Sequence, residues 1–236
     1  MNDTDRNPLE TFRKINTDGT RCLANAAAAA GVRRFIFISS IKVNGEATVR
    51  RAFTADDTPT PEDAYGISKY EAEQSLWQVA DRSGMEVCVI RPPLVYGPGV
   101  KGNFQRLVSW VKSGVPLPFG AIQNHRSLVS VYNLRDLIMR CITSDAARGK
   151  VFLVSDGSDM SIGELIRQLG AAIGCPTRLI SMPPLFLKFM FTVAGRQNEF
   201  ERLCGSLQVD IEQTCSLLDW QPPVSVPDGL QRMMSR

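Results

Sequence analysis

The sequence predicts an α/β fold on a parallel sheet, followed by a smaller, mostly helical portion. Three observations predict it. Helix-forming stretches alternate with short apolar runs up to about residue 100, the order that builds βαβ crossovers. Residues 35–38 (FIFI) are continuously apolar, as expected of a parallel strand covered on both faces. Beyond residue 174 the texture changes, and the helical portion is expected from roughly residue 155 onward.

Each element has its own signal. Residues 16–30 (NTDGTRCLANAAAAA) are rich in helix formers and end at Gly31, a usual C-terminal stop. The strand at 35–38 follows and expects neighbours on each side. A polar loop at 39–63 leads to a helix over 65–83, packed through Ile67, Leu76, Val79 and Ala80 and ended by Gly84. Residues 85–90 (MEVCVI) are the next strand, stopped by Arg91-Pro92-Pro93, and residues 94–104 (LVYGPGVKGNF) read as a Gly- and Pro-rich loop. A short helix is expected over 105–112 and an extended loop over 114–124. A strand at 127–132 (SLVSVY) precedes a helix that Asn133 caps and that runs to 143. Residues 151–154 form a short strand, and Ser161 with Glu164 fits a capping box opening a helix to 173. The apolar segment 182–194 (MPPLFLKFMFTVA) is interrupted by Lys188 and reads as a buried or lid helix in preference to a membrane anchor. The tail reads as a turn, a Pro-rich connector and a final helix.

Composition narrows the function. At 236 residues and 44% hydrophobic, the chain can bury a sizeable core, as one large domain or a domain with an appendage. The net charge is +3 with basic residues scattered, which leaves no footprint for nucleic acid and no polybasic membrane patch. Six cysteines lie far apart without a C-x-x-C and His125 is the one histidine, a pattern of reduced core thiols in a cytosolic protein. Residues 1–14 are polar and no uncharged apolar run reaches spanning length, so a cytoplasmic protein without a membrane span is expected.

Tyr65 and Lys69 stand four residues apart and share a helix face. An ammonium near a phenol favours the phenolate, and a phenol pulled down from about 10 can exchange protons near neutrality. With Ser39-Ser40 after the first strand and RPPLVYGPG at 91–99, the order is strand, Ser-Ser, Tyr-x-x-x-Lys helix, strand, Gly-rich loop. Together with NTDGT at 16–20, KGNF at 101–104 and LDWQP at 218–222, the chain resembles the extended short-chain dehydrogenase/reductase family. Members epimerise, reduce or dehydrate nucleotide-activated sugars with bound NAD or NADP.

The resemblance implies a partial Rossmann-like core over 1–100, rejoined by 126–154. A substrate-binding region over 101–125 and 155–236 completes it. It makes Tyr65 the acid/base, Lys69 the ligand of the nicotinamide ribose and the group that lowers the Tyr65 pKa, and Ser40 the partner of the reacting sugar oxygen, with Ser39 its confusable neighbour. Asn16, Ser39 and the backbone near Pro92 would lie at the cofactor. Asn103 and Phe104 would contact the nucleotide diphosphate-sugar, Phe119 would cover the uracil face and Arg126 would meet the diphosphate. Phe119 could instead plug its own core. A homodimer is expected by analogy.

Two departures matter. No G-x-G-x-x-G or G-x-x-G-x-x-G precedes residues 16–20, so the first strands and the pyrophosphate turn are expected to be missing, leaving strand 35–38 as an open edge. The family's 4,6-dehydratases carry Asp-Glu directly after the catalytic Ser or Thr; here Ile41 and Lys42 stand there. Dehydration is therefore disfavoured. Epimerisation at C4 or reduction of a 4-keto-6-deoxy-hexosamine remains, in bacterial surface polysaccharide synthesis. The alternatives are a truncated non-catalytic remnant that keeps the sugar-nucleotide half, and a redox-sensing regulator of the same fold.

Overall fold

The computed structural model describes residues 7–235. Helix α1 (Pro8–Phe12) starts where Asn7 accepts from the Glu10 N–H and proline takes the first turn. It continues through a π-helical stretch, Arg13–Asp18, into α2 (Gly19–Ala29). The helix expected at 16–30 thus extends back to Pro8, and Gly31 ends it at φ +74°. Part of the polar N-terminal stretch, residues 1–6, lies outside the described residues.

Strands β1 (Arg34–Ile38), β2 (Glu86–Arg91) and β5 (Lys150–Leu153) form a parallel sheet in the order β1-β2-β5. Phe37 is in register with Val89, and Ile90 with Phe152. Helix α3 (Ala64–Ser83) covers one face and α5 (Val131–Thr143) the other. The two-residue period of β2 divides the core. Val87 and Val89 pack with Ala24, Ala72, Leu76 and Val79 on the α2/α3 side, and Cys88 and Ile90 with Leu137, Cys141 and Phe152 on the α5 side. Among the described residues β1 has a strand partner on one side alone, so the neighbour expected on its other side is not there.

A second sheet pairs β3 (Leu94–Tyr96) with β4 (Leu128–Ser130), also in parallel. Residues 94–96 were expected as loop. The α5 start also differs: Ser130, accepting from the Asn133 N–H, is the cap, and Asn133 lies buried inside the helix. Its amide is used elsewhere, donating to Asp156 at 2.7 Å and pairing in both directions with the Val224 backbone. Tyr96 donates to the same Asp156 at 2.7 Å, so one buried carboxylate joins both strands of this sheet to the C-terminal segment.

Helices α4 (Gly102–Lys112), α6 (Ile162–Ile173) and α10 (Val226–Met234) enclose a third core around Phe104, Leu107, Ile166, Leu169 and Leu230. The capping box of Ser161 and Glu164 forms as expected. Between α6 and α10 come α7 (Pro184–Val193), α8 (Gln197–Cys204) and α9 (Glu212–Leu218). Of the two expectations for α7, a buried helix or a lid, the first is corrected: only Leu187 among its described residues is buried, and its outer side is exposed. The cysteines are corrected too. Cys88 and Cys141 are core thiols, but Cys22 is exposed and the other three are half-buried. No helix among the described residues is long and apolar enough to cross a membrane.

Candidate active site

The carboxyl ends of β1 and β2 converge, since the Ser39 N–H donates to Ile90 O at 2.7 Å and the Ile41 N–H to Pro92 O at 2.9 Å. This end of a parallel sheet is where loops gather chemistry. Ser40 caps the 3₁₀ turn Ile41–Val43, its Oγ accepting from the Lys42 N–H at 3.3 Å. Opposite it, Asp63 caps α3 by accepting from the Gly66 N–H at 2.7 Å, which fixes Tyr65 in the first turn. The Phe12 ring meets Tyr65 edge-on, centroids 5.6 Å apart.

The electrostatics of Tyr65 depart from expectation. Burial pushes its pKa above the usual value; the Lys42 ammonium opposes this, the Asp63 carboxylate adds to it, and a hydrogen bond with Ser40 favours the phenolate. Lys42 is a cation that lowers the phenol's pKa, one the sequence had not marked. Its Nζ bridges Glu46, at 2.8 Å, and Asp63. Lys69 donates instead to Ile38 O at 2.9 Å and sits 4.6 Å from the Phe37 ring centroid, against 6.0 Å from that of Tyr65. Burial lowers its pKa, with Glu73 opposing.

Ser40, Lys42 and Tyr65 open onto a cavity of about 680 Å³, which Asn103, Phe104 and Arg126 also line. Helices α6 and α8 supply the far wall through Ile162, Leu165, Arg202 and Leu203. Arg126 donates to Gly205 O at 3.0 Å and makes no ion pair among the described residues. Burial depresses its pKa, so the cation is desolvated and suited to an anion. The first turn of α4 borders the same space with no side-chain cap on its N–H groups, a second attraction for negative charge. Asn103 Oδ1 accepts from Arg106 at 2.6 Å, and Phe104 stacks on Tyr96.

The other expected site residues do not line this cavity. Phe119 packs against Trp110 in the core, centroids 6.5 Å apart, because its loop turns inward; it offers no exposed face to a base. Asn16 donates to Ser68 Oγ at 2.9 Å, Ser39 is buried with its hydroxyl on Glu73, and Pro92 is buried below the loop. Asn16, Ser39 and Lys69 instead collect between α3, β1 and the N-terminal helical segment. That arrangement fits a ribose: of the three N–H donors of the Lys69 ammonium, Ile38 takes one.

Two features escaped sequence reasoning. The Lys42–Glu46–Asp63 cluster joins residues up to 21 positions apart; Asp63, two residues before Tyr65, was readable as an N-cap. A buried ion pair, Glu73 with Arg91 at 2.6 Å, ties α3 to β2, and Arg91 also holds Asn44. A G-x-G-x-x-G spacing does occur at Gly97, Gly99 and Gly102, opening α4. It follows β3 and packs Gly97 against Val131, where a Cβ would lie 2.6 Å from Cγ1.

A family model described as the NAD dependent epimerase/dehydratase family matches residues 2–155. The chain belongs to that family. It is 49% identical over 234 residues to the UDP-glucose 4-epimerase of Vibrio cholerae, an alignment covering 98% of this chain and 71% of the relative. It is 27% identical to the N-acetyl-alpha-D-glucosaminyl-diphospho-ditrans,octacis-undecaprenol 4-epimerase of Escherichia coli O157:H7, over 98% of this chain and 73% of that one. Among solved structures, the UDP-glucose 4-epimerase of Thermotoga maritima with UDP-glucose matches with a TM-score of 0.75 at 24% identity, covering 94% of this chain and 69% of that one. Bordetella bronchiseptica WbmG in complex with NAD and UDP matches with a TM-score of 0.75 at 20% identity, covering 98% and 68%. These structural likenesses establish the partial Rossmann-like fold. Membership of the NAD dependent epimerase/dehydratase family is what the resemblance implied.

Proposed function

We propose that the cavity takes a UDP-hexose and that the chain works at its C4, as a 4-epimerase in preference to a 4-keto-sugar reductase. The observation that carries the reading is one cavity lined by Ser40 and Tyr65 at one part and by the desolvated Arg126 at another. The Vibrio cholerae relative favours the epimerase over the reductase. Residues 101–125 and 155–236 act as the sugar-nucleotide half, and the sheet with 1–100 and 126–154 as the cofactor half.

Arg126 and the α4 N-terminus hold the diphosphate, leaving the hexose toward Tyr65. Ser40 hydrogen-bonds the C4 oxygen and supports the Tyr65 phenolate. Tyr65 takes the proton from the C4 hydroxyl as the C4–H bond breaks, and returns it when that bond re-forms. When bound, NAD would supply the hydride acceptor and donor that C4 oxidation and ketone reduction need. Lys69 and Asn16 lie where the ribose of such a cofactor would be held. Return of the hydrogen to the opposite ring face inverts C4, so every atom and electron removed is restored and no net oxidation occurs.

Interconversion of UDP-glucose and UDP-galactose in the presence of NAD, read by chromatography, tests this. Tyr65→Phe should lower turnover by about 10²–10⁴-fold with UDP-sugar binding retained. Turnover undiminished in that variant would contradict the assignment.

A further inference from the structure

Helix α7 is the apolar segment that neither the core nor the cavity uses. At 100° per residue, Leu185, Phe186, Phe189, Met190 and Val193 fall within an arc of about 140°, and all five are exposed: Leu185 at 84%, Phe189 at 63%, Val193 at 72%. The opposite side packs inward through Leu187, which is 2% exposed, and through Phe191, whose ring lies 5.8 Å from that of Phe200. A contiguous outward face of this kind, with two phenylalanines, marks a contact surface and not a scatter of single residues.

Charge selects what it contacts. Residues 175–196 contain Arg178, Lys188 and Arg196 and no Asp or Glu. Arg196 pairs with Glu199, whereas Arg178 and Lys188 are exposed and make no ion pair among the described residues. Lys188 sits at the margin of the apolar arc, where its stem can lie along apolar surface with the ammonium in the headgroup layer. Two copies placed face to face would oppose like charges across an isologous contact. A bilayer of anionic lipid offers hydrocarbon and negative charge together. Ten residues are too few to span a membrane, so the helix would lie in its surface.

We infer that α7 docks the protein on an anionic lipid bilayer, with Leu185, Phe186, Phe189, Met190 and Val193 in the acyl–headgroup boundary and Lys188 on the phosphates. Helix α8, which follows through Gly195, lends Arg202 and Leu203 to the cavity. The docked face therefore lies one helix from the cavity wall.

Vesicle flotation of the purified protein tests this. With phosphatidylcholine–phosphatidylglycerol vesicles the protein should float; with phosphatidylcholine alone it should not, and high salt should weaken flotation. Leu185→Ser with Phe189→Ser should cut the bound fraction at least about tenfold, and Lys188→Glu should lower it with the apolar face intact. These positions are exposed, so both variants should keep the wild-type circular dichroism and melting temperature. A folded wild-type protein that does not float, flotation unchanged in the double variant, or a wild-type dimer that the double variant disperses would each overturn the inference, the last by showing that a second copy covers the face.

Discussion

Tyr65 carries a phenol that burial holds above its ordinary pKa and that Lys42 pulls back down. The sign of the pH dependence follows. The phenolate forms only as pH rises toward the raised pKa, so a step that needs it speeds up with pH on the acid side of the optimum. Lys42→Met removes the lowering charge and leaves Asp63 and Glu46 unbalanced, which should move the rising limb of the pH–rate profile to higher pH. A limb that stays in place, or moves to lower pH, would remove Lys42 from this role. Tyr65 and Ser40 were singled out through the family resemblance of the order strand, Ser-Ser, Tyr-x-x-x-Lys helix, and both line the cavity. The partner of the phenol was not singled out, because Lys42 reaches Asp63 only once the loop between them has folded back. Phe119 was read as a base-facing ring because sequence does not say to which side a loop aromatic turns.

At the scale of elements, α3 is held to β2 by the Glu73–Arg91 pair, with side chains 1% and 5% exposed. Removing one partner of a buried pair strands the other charge. Glu73→Gln should destabilise the fold by about 3–5 kcal/mol, seen as a fall in denaturation midpoint without a change in its slope. A variant as stable as the wild type would mean that water reaches Arg91. Element ends with strong chemistry were readable: Gly84 after α3 is left-handed at φ +74°, and the Ser161 capping box opens α6. Elements decided by partners were not. The three residues of β3 are a strand because β4 lies beside them, and α5 starts before Asn133 because Ser130 takes the cap while the Asn133 amide serves Asp156 and Val224.

Across the whole molecule, a three-stranded sheet with β1 at its edge and a helical core around α6 meet at one cavity. The alternation of helix and strand announced the sheet, and among the described residues β1 has a strand partner on one side. The placing of α7 was hidden: an apolar helix in sequence carries no mark of which side will find a core, and here one side did not. The cavity is the centre of the functional account, and the sugar-nucleotide binding proposed for it rests on Arg126 and the first turn of α4. The most direct measurement is a calorimetric titration of UDP-galactose into the wild-type chain and into Arg126→Gln. Saturable binding that weakens about tenfold to a hundredfold in the variant, the loss of one charge-assisted contact, is the predicted result. No binding to a folded wild-type chain, or equal affinity in both, would contradict it.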